Sequence, residues 1–125
     1  MTEQLKNESL RQKQSRFAHA CALLILFAEA KGFAVTFGET YRPEREAAAN
    51  AAAGTGIKAS LHVRRLAVDL NAFNTDGKYL EDTVDYLPLG EFWESLGTDY
   101  YWGGRFTKKP DGNHFSLSPD GGRTR

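Results

Sequence analysis

No glycine or proline interrupts residues 1–31 of the chain, "MTEQLKNESLRQKQSRFAHACALLILFAEAK", and Gly32 follows at once. Within that stretch Leu10, Phe17, Cys21, Leu24 and Phe27 or Ala28 recur at three- and four-residue steps, which predicts one long amphipathic helix closed by Gly32. Such a helix cannot bury its apolar stripe alone, so the rest of the chain must supply a surface for it. The longest apolar run inside it, "ACALLILFAEA", falls far short of the roughly 20 residues a bilayer-spanning helix needs. The polar leader ahead of it mixes acidic and basic residues, so a cleavable signal peptide is not expected.

A chain of 125 residues fits one domain with its own core. The expected organisation is a single domain over residues 1–125, with 119–125 a loose tail. Sixteen basic residues against sixteen acidic ones give no electrostatic case for a nucleic acid or an anionic membrane as partner. The short basic runs "RQKQSR" and "GGRTR" are not interleaved with aromatics and read as solvated faces. Cys21 is the sole cysteine, which excludes an internal disulfide and a thiolate metal cluster and makes the thiol a small core residue.

Downstream, "FAVTFGETY" (33–41) is β-branched and aromatic and reads as a strand. "RPEREAAANAAAGTG" reads as a helix opened by Pro43 and ended by Gly54 or Gly56. "LAVDLNAF" (66–73) is a second strand, followed by a tight turn at Asp76-Gly77. A short helix is expected to begin after Pro88 in "PLGEFWESLG". An aromatic, glycine-punctuated loop then leads into a last strand from about His114 to Ser118. Helices lie before, between and after strands that need not be parallel, so the expected class is α+β, a short antiparallel sheet with helices packed on it.

Period-two alternation places Leu66, Val68 and Leu70 on one face of the second strand and Ala67, Asp69 and Asn71 on the other. The same rule sends Phe115 and Leu117 to the core and leaves His114, Ser116 and Ser118 opposite. Two strands thus each offer a metal-capable side chain, and His62, on the loop entering the second strand, completes a possible His, Asp, His set. Three nitrogen or oxygen donors with an open fourth position are the arrangement of a catalytic zinc site. Asp111 stands three residues before His114, close enough in a turn to serve a bound water as proton acceptor without being a ligand. Such a group suits amide hydrolysis. Asp111 also falls in "PDGN", a strong turn sequence, and the two roles are compatible. His19, on the first helix, has no second donor type near it in sequence and is expected to be structural or exposed. Trp102 with Gly103 and Gly104 reads as a packed aromatic followed by a backbone turn.

Four blocks in order carry a resemblance: "SLHVRRLAVDL" as S-x-H-x6-D, "PDGNHF" as D-x-x-H, "YWGGRF" as the W-G-G element, and "ETYRPEREA" as the segment with a substrate-facing arginine. The chain resembles the zinc peptidases of the D-alanyl-D-alanine carboxypeptidase superfamily over roughly residues 20–118. The similarity is strongest to the phage endolysin branch that cleaves the L-alanyl-D-glutamate bond of peptidoglycan stem peptides. The resemblance implies a hedgehog/D-Ala-D-Ala peptidase-like fold and one Zn2+ per chain held by His62, Asp69 and His114. It further implies Asp111 as general base and acid, Arg42 on the scissile carbonyl or a substrate carboxylate, and Ser60 as a supporting hydrogen-bond partner. One departure is Arg65, where the wider superfamily often has glycine.

The expected function is therefore that of a monomeric zinc-dependent endolysin. It would be made in the host cytoplasm, act on the cell wall from the periplasm and need assistance to cross the inner membrane. The rival enzyme reading is a D-alanyl-D-alanine carboxypeptidase or dipeptidase. The rival from another class is a non-catalytic metal-binding cell-wall recognition module, against which the presence of Asp111 argues. A nucleic-acid binder is not expected.

Overall fold

A computed structural model describes residues 8–38 and 64–118. The first helix, α1 (Leu10–Ala30), starts where Ser9 and Gln12 satisfy each other's backbone amides in a capping box. It ends where Gly32, at φ 93°, turns the chain so that Phe33 N–H reaches Ala28 O at 2.9 Å and Gly32 N–H reaches Glu29 O at 3.0 Å. Phe17, Ala20, Leu24 and Ala28 form its buried stripe. Leu10, expected on that stripe, is instead 48% exposed: it is the helix's first residue and lies beyond the edge of the sheet-facing surface.

The strands are β1 (Ala34–Phe37), β2 (Ala67–Phe73), β3 (Tyr100–Trp102) and β4 (His114–Leu117), joined antiparallel in the order β1-β2-β4-β3. The α+β expectation of helices on a short antiparallel sheet holds among the described residues. β3 is an addition, because a glycine-rich aromatic loop was expected there. "YYW" pairs with β4 through Tyr100 opposite Leu117 and Trp102 opposite Phe115, and three residues are too few to leave a periodic signal. The second helix, α2 (Leu87–Glu94), begins one residue before Pro88, which sits in its first turn. A 3-10 turn over Thr83–Tyr86 leads into it. The expected helix after Pro43, the last residues of the first strand (39–41) and the tail (119–125) lie outside the described residues.

One sheet face carries the core. Leu66, Val68, Leu70, Ala72, Phe115 and Leu117 are buried there against α1 and α2. Trp93 of α2 is the hub: its ring meets Phe17, Tyr100 and Phe115 edge-on at 5.3–5.8 Å, and its indole N–H donates to Ser116 O at 2.9 Å. Arg16 ties α1 to the segment before β3, reaching Glu8, the buried Asp99 and the Tyr100 hydroxyl, each at 2.9 Å. Burial pushes the half-buried Cys21 thiol up to about 12, so it stays protonated and inert as expected of a core residue. No helix among the described residues is long and apolar enough to cross a membrane.

Candidate metal centre

The opposite sheet face holds the candidate metal donors. On β2 the alternation puts Asp69 and Asn71 away from the core, and both are half-buried. Asp69 pairs across the ladder with His114, the first residue of β4, so the two side chains leave the sheet side by side. His114 Nδ1 lies 3.2 Å from Asp69 Oδ1. Ala67 and Ser116 share this face but are fully buried, as is Ser118, so the polar face expected for β4 reaches the surface only at His114.

Asp111 joins them from the turn ahead of β4. One donor atom from each of Asp69, Asp111 and His114 lies within 4.8 Å of the others. That turn is held mostly by backbone. Asp111 N–H donates to Gly103 O at 2.9 Å, His114 N–H to Asp111 O at 3.1 Å, and the Trp102 indole N–H to Gly112 O at 2.6 Å. A β-carbon on Gly103 would collide with the Asp111 carbonyl oxygen and come within 2.8 Å of His114 Cβ, so the W-G-G element works by letting two backbone segments touch. Trp102, 3% exposed, is a packed anchor rather than a platform, as the sequence predicts.

The donor set fits a zinc-type cation. Bonds of about 2.0 Å in tetrahedral geometry place neighbouring ligands roughly 3.3 Å apart, close to the Asp69–His114 separation, and imidazole with carboxylate is a borderline donor pair suited to zinc. The structure brings together Asp69, His114 and Asp111 of the residues singled out from sequence. His62, Arg42 and Ser60 lie outside the described residues. His19 is exposed on α1, away from these donors in the sheet.

Two contacts were not foreseen. The Phe106 ring stands 5.5 Å from the His114 imidazole, tilted by 50°, and flanks it on one side. Asn113 Nδ2 donates to Asn71 Oδ1 at 3.0 Å, linking the Asp111 turn to β2. The spacing of Asn71 two residues after Asp69 already put it on the same face; its partner required the fold.

Comparisons with known proteins bear on the fold and the family. In fold the chain is similar to the L-Ala D-Glu endopeptidase ChiX of Serratia marcescens, at TM-score 0.68 and 21% identity over 90% of this chain and 86% of that one. It is also similar to a variant of the vancomycin-resistance D,D-pentapeptidase VanY from the VanB-type cassette, solved in complex with Zn(II), at TM-score 0.54 and 20% identity over 82% and 70%. No match was found among curated proteins. The family model described as D-alanyl-D-alanine carboxypeptidase matches residues 53–117, more than half of the chain and a span that includes both strands and the turn bearing these donors. The chain belongs to the D-alanyl-D-alanine carboxypeptidase family, a family of zinc metallopeptidases that act on peptidoglycan.

Proposed function

We propose that this chain is an endopeptidase that cleaves the L-alanyl-D-glutamate amide of the peptidoglycan stem peptide, serving as the lytic enzyme of a phage or prophage. The single observation that carries the hydrolytic part is the convergence of Asp69, Asp111 and His114 within 4.8 Å on the sheet face opposite the core. The choice of bond is supported by the likeness to ChiX, which spans more of both chains than the likeness to VanY.

In this reading Asp69 and His114, with His62, hold the zinc. Bound there, the cation supplies Lewis acidity and lowers the pKa of water. Asp69 reaches the site from the middle of a paired strand, and Phe106 flanks the His114 ring, so both donors are set before any ligand arrives. Asp111, exposed on its turn, takes the proton of the attacking water and returns it to the departing amine. Arg42 binds a substrate carbonyl or carboxylate, and Ser60 supports the site by hydrogen bonding.

The test is mass spectrometry of muropeptides after digestion of purified peptidoglycan. The expected products are free stem peptides beginning with D-glutamate and glycan strands whose muramic acids each keep a single L-alanine, with none released after chelation. The family description favours a second reading, carboxypeptidase action on D-alanyl-D-alanine. Release of terminal D-alanine, with the stem still attached to muramic acid, would replace the endopeptidase reading with that one.

A further inference from the structure

The turn from Asp111 to His114 is tied on one side to Trp102 and Gly103, through the backbone carbonyls and amides described above. On the other side it is tied to β2 at two residues, by His114, which pairs with Asp69, and, nearer Asp111, by Asn113. The Asn113 carbonyl accepts from Leu70 N–H at 2.8 Å, and its side-chain amide donates to Asn71 Oδ1 at 3.0 Å. The first bond continues the sheet ladder and fixes Asn113 only along the backbone. The second is a side-chain pair, half-buried, on the face that carries Asp69. It therefore helps fix the lateral distance between the strand bearing Asp69 and the turn bearing Asp111.

That distance has a chemical consequence. The donor atoms of Asp111, Asp69 and His114 are all within 4.8 Å, so a small inward swing would make Asp111 a further ligand of the cation, and a small outward one would take it from the reacting water. A carboxylate beside a cation is drawn inward by charge, and a neutral amide pair resists this without adding charge to the site. We infer that Asn71 and Asn113 are positioning residues whose amide pair keeps Asp111 in proton-transfer range and out of the metal's coordination shell. This rests on the reading of Asp111 as the proton carrier.

The hydrogen bond has a polarity, which makes it testable. Asn71 is the acceptor, so Asn71→Asp keeps an acceptor facing the Asn113 amide. Asn113 is the donor, so Asn113→Asp leaves two acceptors facing each other. Asn71→Leu removes the acceptor at similar volume. With muropeptide substrate, kcat is expected to fall about 10- to 100-fold in Asn71→Leu and Asn113→Asp, the range for partners that orient metal-site groups. KM should change less than about twofold, since neither amide is assigned to substrate binding. Asn71→Asp should retain several-fold more activity than Asn71→Leu.

A second readout is independent of turnover: the visible absorption of the cobalt-substituted protein reports coordination number. It should weaken in Asn71→Leu as Asp111 joins the shell, and return to the parental spectrum in the double variant Asn71→Leu/Asp111→Ala. Wild-type kcat together with an unchanged cobalt spectrum in Asn71→Leu overturns the inference, as does equal activity of Asn71→Asp and Asn71→Leu. Asp111→Ala separates this from the broader reading: if that variant still turns over, the proton-carrier assignment fails. If it is inactive with zinc retained while the Asn71 variants are normal, only the positioning role fails.

Discussion

Arg65 holds a φ of 57°, in the left-handed region where a β-carbon crowds the neighbouring carbonyl. It sits in the turn that opens β2, and the Gln14 side-chain amide grips the preceding carbonyl, Arg64 O, at 2.8 Å. A glycine would adopt this backbone freely, and this chain meets the geometry with a residue that pays a conformational cost for it. At most sites alanine is the more stable of alanine and glycine. Here the order should invert, with Arg65→Gly exceeding Arg65→Ala by about 1 kcal/mol in urea unfolding. Alanine matching or exceeding glycine would remove the strain from this account. The arginine was visible in the sequence, but the sign of its φ was not, since no local residue pattern forces a left-handed arginine.

At the scale of the element, the decisive piece is the pair formed by the Trp102-Gly103-Gly104 segment and the Asp111–His114 turn. Each stands out in the sequence as a motif, but their contact, which is what delivers Asp111 to the Asp69 and His114 pair, does not. Gly103→Ala forces a methyl against the Asp111 carbonyl, which is backbone and cannot rotate away. The expected result is a loss of zinc affinity and of activity of at least about tenfold, read by competition with a chromogenic chelator and by muropeptide release. Gly77→Ala is the control. It also replaces a glycine of positive φ, 79°, but has nothing within 4 Å of its β-carbon, so it should cost stability and leave zinc affinity unchanged. The alternation that placed Asp69 and His114 on one side of their strands was legible from period two. The register that sets them opposite each other was not, because it depends on which strands pair.

For the whole molecule, the core and the donor cluster lie on opposite faces of one sheet, so stability and chemistry can be probed apart. Cys21, on α1 and packed against the edge of the core, has its thiol pushed up by burial to about 12 from an ordinary value of 9.0. The folded thiol stays neutral while the unfolded one ionises first. Its contribution is therefore complete below about pH 9 and is lost as pH rises toward 12. Tyr86, raised chiefly by burial, adds a loss of the same sign at higher pH. Between pH 8 and 10 the wild type should lose about 1 kcal/mol more than Cys21→Ala, measured by urea unfolding at each pH. Parallel profiles for the two proteins would rule out the buried thiol as the source.

The sequence by itself determined the class of fold, the long amphipathic helix with its glycine stop, the sides of β2 and β4 that carry Asp69 and His114, and the residue types able to hold zinc. These follow from local periodicity and donor chemistry, which a chain carries in its order of residues. Only the tertiary structure decided that β3 exists, that Ser116 is buried, that Phe106 flanks His114 and that Asn113 reaches Asn71. Each of those rests on contacts between residues from 8 to more than 40 apart, most of them formed when antiparallel strands choose their register, and register is a property of the packed sheet rather than of any one strand.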